Sequence, residues 1–132
     1  AVAAIHAGWR GVVADVVGAA VARLRAGAEG EPALVAAIGP HISTAAFEVG
    51  EDVAATLGAV APEVPAVLWP PGGRPRVDLR ALVRAELVRA GVSREAIDDV
   101  GGCTYSEPDR FFSFRRDGPR SGRHLAAIVA RG

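Results

Sequence analysis

The sequence of 132 residues contains no methionine and no lysine, and Cys103 is its single cysteine. One cysteine excludes an intrachain disulfide. Residues 1–5 lack the basic region and the cleavage site of a secretory signal peptide, so we expect a cytoplasmic protein. Because there is no initiator methionine and the sequence opens directly on an apolar run, we also expect that the natural polypeptide begins earlier and that its N-terminal part is missing here.

The sequence also lacks net charge and long apolar runs. Fifteen arginines balance fifteen acidic residues, so there is no overall field to attract nucleic acid or an anionic membrane, and we expect neither as a partner. No stretch approaches the ~20 uninterrupted apolar residues of a membrane-spanning helix. Half of the residues are apolar, which at this length suffices for one core. We therefore expect one domain or part of one, of a size that leaves the oligomeric state open.

Apolar runs and helical spacings alternate along the chain. Asp78 and Gly91 are placed to begin and end a helix, because Leu79, Leu82 and Leu87 between them share one face. Two further helices are predicted at residues 12–24 and 51–57, and Ser93 is placed to cap one more turn. Strands are predicted at residues 1–5, 33–38, 66–69, 97–100 and 125–130.

The segment His6-Ala7-Gly8-Trp9-Arg10-Gly11 concentrates the most chemistry, since Walker, GxGxxG, GxSxG, HExxH and paired-cysteine motifs are all missing. It places an imidazole, a guanidinium and two glycines between a predicted strand and a predicted helix, where ligands bind in α/β folds. Arg10 and the helix N-terminus would together suit a phosphate-like anion. Alternatively, the glycines only form the turn, Trp9 packs in the core and Arg10 is solvated.

His6 is the first candidate for a catalytic residue, as a metal ligand or a general base. A single histidine is equally compatible with a hydrogen-bonded core residue. A catalytic zinc site needs at least three ligands, and the other histidines, His41 and His124, stand at no diagnostic spacing from His6. Cys103 is either a nucleophile beside a histidine or a small core residue.

Basic and aromatic residues interleave near the C-terminus. Phe112 and Arg115 are candidates for substrate binding, because phenyl rings can stack on a base while guanidinium groups neutralise a phosphate. The alternation of residues 111–115 also fits a half-buried strand with arginines on its wet face. Asp117-Gly118-Pro119 would then be a hairpin turn.

Four segments together resemble a known family, the laccase-related, zinc-containing purine nucleoside phosphorylases, also known as polyphenol oxidases or peptidoglycan-editing factors. The segments are AVAAIHAGWRG at 1–11, IGPHI with FEVGEDV at 38–53, VDL at 77–79 and CTYSEPDRFFSFRRDGPRSGR at 103–123. The resemblance spans nearly the whole chain. It identifies residues 1–132 as the C-terminal portion of a single domain of that family.

The resemblance implies an α+β fold, a layered α/β/β/α sandwich with mixed sheets. It also implies a zinc ion held by two histidines and one cysteine, with an open position for substrate. His6 matches one of these histidines, and we expect it to be both a metal ligand and a catalytic residue. The other two ligands belong to motifs N-terminal to HAGWRG, and Cys103 does not match the zinc cysteine. The chain alone would then be inactive.

The implied activity is phosphorolysis of adenosine-like purine nucleosides to the free base and ribose 1-phosphate, with adenosine deamination as a side activity. Arg10 would hold the phosphate, and Phe112 with Arg115 would contact the nucleoside. One alternative is a copper-dependent polyphenol oxidase, although a histidine-poor sequence cannot assemble a multicopper cluster. Another is a non-catalytic remnant that binds a nucleotide or a partner protein.

Overall fold

The computed structural model of the chain describes residues 1–130, and helices and short strands alternate along them. The helices are α1 (Trp9–Val13), α2 (Val16–Ala26), α3 (Glu51–Gly58), α4 (Leu79–Arg89) and α5 (Phe114–Asp117). The strands are β1 (Ala36–Ile38), β2 (Val67–Leu68), β3 (Arg76–Val77) and β4 (Ile97–Asp99). Single 3-10 turns cover Arg94–Ala96, as predicted after Ser93, and Gly118–Arg120.

The strands form two small sheets, one parallel and one antiparallel. In one, β1 pairs in parallel with β4, with Ala36 opposite Ile97. In the other, β2 pairs antiparallel with β3, with Val67 opposite Val77. A parallel pair requires a crossover connection, and α3 and α4 lie in the stretch between β1 and β4. The fold is therefore α+β with mixed strand pairing, which confirms the predicted class.

The glycine-rich turn leads into two helices instead of the single helix predicted over residues 12–24. The break lies at Asp15, whose backbone is left-handed with φ 52° and ψ 44°. Its side chain accepts a hydrogen bond from the Gly18 backbone N at 3.2 Å and so caps α2. Aspartate tolerates this conformation better than most residues, and its carboxylate competes for helix N–H groups. The apolar spacing predicted the buried face but not this break.

Helix α4 agrees with its prediction at both ends. The Asp78 side chain accepts a hydrogen bond from the Ala81 backbone N at 2.9 Å, which caps the first turn. Gly91 follows the last turn with φ 87°, a conformation that glycine adopts without strain. Helix α3 also lies where it was predicted.

Two of the predicted strands are wrong. Residues 1–5 and 125–130 are not in strands and are exposed to solvent, with Leu125 92% exposed. A strand forms only where a neighbouring backbone supplies hydrogen-bond partners, and no segment within residues 1–130 does so for these two. An apolar run indicates a preference for extended structure. Whether a strand forms depends on a neighbouring backbone with which it can pair.

The alternative interpretation of the aromatic segment as a half-buried strand does not agree with the structure. Ser113 is 6% exposed, and its side chain accepts a hydrogen bond from the Arg116 backbone N, so it caps α5. Phe112 and Phe114 are both exposed rather than buried on one face. The predicted hairpin turn at residues 117–119 is instead the end of α5 followed by a 3-10 turn.

Helix α4 contributes to both hydrophobic cores. One core surrounds Leu82 and includes residues of α1 and α3, and the other places Leu87 against Val17 and Val21 of α2. Each fully buried leucine contributes about 1.5–3 kcal/mol to stability. The longest described helices, α2 and α4, have eleven residues each, and none has the length and apolar character to cross a membrane.

Glu86 of α4 occupies a position in the buried stripe of this helix. It is 2% exposed, and neither carboxylate oxygen has a hydrogen-bond partner among residues 1–130. Burial and, to a smaller extent, the charge of Asp15 raise the pKa of Glu86, Arg89 opposes the shift, and the net pKa is about 7. The folded chain therefore binds this proton more tightly than the unfolded chain, whose glutamate has the ordinary value of 4.5.

We predict that Glu86 makes stability fall as pH rises from about 5 to about 8. The raised pKa means that ionisation favours the unfolded chain throughout this window. Glu86→Gln removes the effect, so the free energy of unfolding of the variant minus that of the wild type should grow by roughly 2–3 kcal/mol from pH 5 to pH 8. Urea unfolding of both proteins at both pH values measures this growth. Any effect of the substitution on packing is the same at pH 5 and pH 8, so it cancels when the two values are subtracted.

The matched control is Glu29→Gln, an exposed glutamate in the turn before β1. Its difference from the wild type should stay constant across the same window. A Glu86→Gln difference that is equally constant would show that Glu86 does not carry a shifted proton.

Candidate functional site

The glycine-rich turn presents His6 to solvent at the entrance to α1. The imidazole folds back over Gly8, since a Cβ added at Gly8 would lie 3.1 Å from Nε2. The backbone carbonyl of His6 lies 3.5 Å from the corresponding position at Gly11. Gly8 therefore gives room to the His6 ring, whereas a Cβ at Gly11 would lie nearest to Val16, at 3.2 Å. His6 is available to a ligand from outside.

Residues 1–130 do not assemble a metal site. No group of three histidine, cysteine, aspartate or glutamate side chains is close enough to hold an ion in the described part of the chain. His41 Nδ1 lies 3.0 Å from the Gly39 carbonyl, and His124 Nε2 accepts a hydrogen bond from the Phe112 backbone N at 3.0 Å. A catalytic zinc needs three protein ligands, so His6 supplies at most one of them.

A cleft of about 270 Å³ opens beside the start of α1 and combines aromatic rings with guanidinium groups. The Arg115 guanidinium donates to the Glu48 carbonyl at 2.7 Å and lies 5.3 Å from the centre of the Phe47 ring. Arg74, from the loop between β2 and β3, also lines the cleft. The complete lining is Trp9, Phe47, Glu48, Val49, Gly50, Val53, Arg74 and Arg115.

Arg10 lies next to this cleft without lining it. Its guanidinium is 4.5 Å from the centre of the Trp9 ring, a cation–π distance, and its residue is exposed. Arg10 thus places a positive charge behind the tryptophan that forms one wall. Trp9, Arg10 and Arg115 come together around one cleft, although more than a hundred residues separate Arg115 from the turn.

Arg115 and Arg116 are adjacent in the sequence but make different contacts. The Arg116 guanidinium donates to the carbonyls of Thr104, Tyr105 and Phe111, each at 2.9 Å. These bonds tie the loop that follows Cys103 to α5. Arg116 is therefore occupied within the fold, whereas Arg115 faces the cleft.

Phe112 lies away from the cleft. Its ring is 53% exposed, is 5.7 Å from the His124 ring and covers Gly122, where an added Cβ would lie 2.7 Å from it. The proposed contact between Phe112 and the purine stays a prediction. Within residues 1–130 the contacts of this ring are with the C-terminal segment.

Cys103 is held in a network of serine and glutamate contacts rather than in an apolar core. The Ser43 and Ser106 backbone N atoms donate to its sulfur at 3.3 and 3.4 Å, and its own N donates to Glu107 at 2.6 Å. Burial raises the pKa of the Cys103 thiol, but hydrogen bonds with Ser106 and Ser43 outweigh burial and bring the pKa to about 6. No histidine hydrogen bond to the sulfur is present among the described residues, so the nucleophile hypothesis gains no base.

Comparison with known proteins identifies the family. Residues 1–131 match the family described as multi-copper polyphenol oxidoreductase laccase. The chain belongs to this laccase family. The match covers the glycine-rich turn, the cleft and the loop after Cys103 alike, and it confirms the resemblance seen in the sequence motifs.

Individual members of the laccase family show how far the similarity extends. A protein of Xylella fastidiosa (strain 9a5c) named purine nucleoside phosphorylase is 47% identical over 120 residues, which are 90% of this chain and 45% of the relative. Adenosine deaminase RL5, from an unknown prokaryotic organism, is 38% identical over 96% of this chain and 49% of its own length. The chain spans about half the length of the curated relatives it matches.

The fold of the laccase family has been solved in several members. The crystal structure of Neisseria meningitidis protein NMB0706 is 38% identical to this chain and superimposes with a TM-score of 0.72, covering 86% of this chain and 45% of that one. The α+β arrangement described above therefore corresponds to part of the fold of this family.

Sequence reasoning did not single out most of the residues that line the cleft of this laccase-family chain, and Phe47 and Arg74 are two of them. Phe47 stands in the FEVGEDV segment that carried part of the resemblance, so a signal for it existed. Arg74 lies alone in a proline- and glycine-rich loop, and no pattern in the sequence distinguishes it from the other arginines. Its place in the cleft depends on the hairpin of β2 and β3, which is a tertiary feature.

Two adjacent glycines give a test of the loop before Cys103. Gly101 and Gly102 have φ of 70° and 100°, so alanine is strained at both. A Cβ at Gly102 would lie 2.8 Å from the Phe111 ring, whereas no atom lies within 4 Å at Gly101. We predict that Gly101→Ala costs about 1 kcal/mol of stability and that Gly102→Ala costs about 1–3 kcal/mol more. Equal losses in urea unfolding would contradict the packing of Phe111 on Gly102.

Proposed function

We propose that this chain forms the substrate-binding part of a zinc-dependent purine nucleoside phosphorylase. One observation carries the proposal, the cleft in which Trp9 and Phe47 meet the guanidinium groups of Arg74 and Arg115. Aromatic walls favour a purine or its ribose, and paired guanidinium groups favour a phosphate. The names of the laccase-family relatives support the same substrates.

The size of the cleft indicates which part of the reaction it serves. At about 270 Å³ it lies just below the 300–1,000 Å³ typical of sites that enclose a drug-sized ligand. It would thus hold one moiety, the phosphate or the base, rather than both substrates. The rest of the substrate would contact residues outside the cleft, in keeping with a chain that spans half the length of its relatives.

The roles of the arginines follow from their free donors. Arg115 uses one N–H for the Glu48 carbonyl, and its other donors would hold the phosphate together with Arg74. Arg10, behind Trp9, would add positive charge to the same region. In phosphorolysis a phosphate oxygen bonds to C1′ of the ribose while the bond from C1′ to the purine nitrogen breaks, and the purine takes up a proton. Arginines that position the phosphate would favour attack over hydrolysis by water.

His6 would be the contribution of this chain to the zinc site. Its imidazole, exposed at the entrance to α1, is accessible for coordination of a metal ion. The remaining ligands would come from beyond residues 1–130, since the described residues do not complete a site. For that reason the roles proposed here for the arginines do not depend on the metal.

We predict that the complete polypeptide releases adenine from adenosine only when phosphate is present. His6→Ala should abolish the release, and Arg115→Ala should lower kcat/KM for phosphate roughly tenfold to a hundredfold, because a charged hydrogen bond is worth about 1.5–3 kcal/mol. Arg120→Ala is the matched control, an exposed arginine of the same segment outside the cleft. Zinc content of His6→Ala and the wild type, measured by mass spectrometry, tests the ligand role separately.

Two alternatives give different products. Release of inosine from adenosine without phosphate would indicate a deaminase, the name of one relative. Oxidation of phenols that requires added copper would fit the family description. The three histidines of the chain are too few and too far apart for a multicopper cluster within residues 1–130. If phosphorolysis, deamination and phenol oxidation are all absent, the remaining interpretation is a non-catalytic protein that binds a nucleotide or a partner protein.

A further inference from the structure

A second cleft, of about 340 Å³, lies between α2 and α4 and is bordered by Asp15 at the break between α1 and α2. The Glu86 carboxylate lines it and is 2% exposed, with neither oxygen in a hydrogen bond within the described residues. Asp15 stands at the exposed mouth of the same cleft. Two acidic side chains thus border one space, and the deeper one has no partner.

The two arginines of this cleft are occupied elsewhere. Arg25 of α2 donates to the Gly91 carbonyl at 3.2 Å. Arg89 of α4 donates to the Val60 carbonyl at 3.0 Å and contacts Glu63. Both hold their positions through these bonds, so neither hydrogen-bonds Glu86.

A buried carboxylate without a donor is unfavourable, and folded proteins rarely retain one without compensation. The adjoining cleft leaves room for a donor that the described chain does not supply. Both unsatisfied atoms are oxygens of Glu86, which accept hydrogen bonds, so the missing group must donate them. A donor that also carries positive charge would offset the ionised carboxylate. A divalent metal ion fits poorly, because no third acidic, histidine or cysteine side chain joins Glu86 and Asp15 within residues 1–130.

We propose that the cleft between α2 and α4 binds a primary alkylammonium group, which donates to the carboxylates of Glu86 and Asp15. An ammonium has three donors on a compact charge and would reach a narrow floor more easily than a planar guanidinium. The apolar wall formed by Val21, Ala22 and Ala90 would cover its alkyl chain. The group comes from a small amine or from a lysine of another polypeptide. A second copy of this chain cannot supply the lysine, since the sequence has none.

Binding should depend on pH in a defined direction. The ammonium pairs with the ionised form of Glu86, whose pKa burial raises to about 7 with the help of Asp15 and against Arg89. Arg25 is the other charged group that faces the cleft. An alkylammonium, like lysine with its pKa of about 10.4, stays charged below pH 9. Affinity should therefore rise as pH increases through 7, and binding below pH 7 should release a proton.

The experiment is calorimetric titration of the complete polypeptide with n-butylammonium. The ionised fraction of Glu86, with its pKa of about 7, predicts roughly tenfold tighter binding at pH 8 than at pH 6. Proton release is measured by repeating the titration at pH 6.5 in two buffers of different ionisation enthalpy. Glu86→Gln should lose at least tenfold in affinity and all of the pH dependence, whereas Glu29→Gln should behave as the wild type. The neutral analogue n-butanol should not bind.

Further arms separate the source of the ammonium from a structural effect. Tighter binding of Nα-acetyl-lysine amide than of n-butylammonium indicates a lysine of a partner, and the reverse indicates a small amine. Asp15→Asn, at the mouth, should weaken binding severalfold while both variants keep the circular dichroism spectrum of the wild type. Absence of binding by the wild type at pH 8, or affinity that Glu86→Gln leaves unchanged, overturns the proposal.

Discussion

The packing of α4 between two hydrophobic cores is the constraint on which the rest of this fold depends. Leu82 lies in the core shared with α1 and α3, and Leu87 lies in the core shared with α2. The same helix therefore fixes the orientation of α1, which begins at the glycine-rich turn, and of α2, which forms one wall of the cleft that contains Glu86. Because Glu86 stands between these two leucines along the buried stripe, its position follows from the packing and not from any contact of its own.

The elements that sequence reasoning found are those whose signals are local. Helix α4 has a capping aspartate, a regular apolar stripe and a terminal glycine, all within fourteen residues of the chain. The break at Asp15 escaped because the apolar spacing continues across it, and only the backbone conformation of one residue differs. The same stripe that predicted α4 would also have placed Glu86 inside. A helical period applied to every residue type, rather than to apolar residues alone, could have found it.

Strand predictions succeeded or failed with the availability of a partner. The predicted runs at 33–38 and 97–100 contain β1 and β4, which pair with each other. The runs at 1–5 and 125–130 are as apolar as these, yet no backbone in residues 1–130 pairs with them. β3 was missed because two residues carry no period. Pairing is a tertiary event, and composition within a strand cannot predict it.

In the candidate site, too, the sequence identified the residue types but not the directions in which their side chains point. The motif FFSFRRDG marks both Arg115 and Arg116, but successive residues of a helix point about 100° apart. Arg116 consequently points towards the loop carbonyls and Arg115 towards the cleft. Ser113 caps the helix and so fixes where it begins, and this start determines the direction of each side chain. A family motif can thus identify a segment, whereas the cap decides which of two identical side chains faces the cleft.

The zero net charge of the chain conceals an uneven local distribution of charged side chains: the first cleft has an excess of arginine, whereas in the second two acidic side chains lie beside two arginines. One cleft gathers Arg74 and Arg115 beside an aromatic wall, and the other places Asp15 above the buried Glu86. At physiological ionic strength charges are screened within about 8 Å, so a ligand at either cleft responds to its own walls and not to the overall balance. The short helix α1 separates Trp9 of the first cleft from Asp15 of the second. If both proposals hold, a chain without net charge would bind an anion at one cleft and a cation at the other.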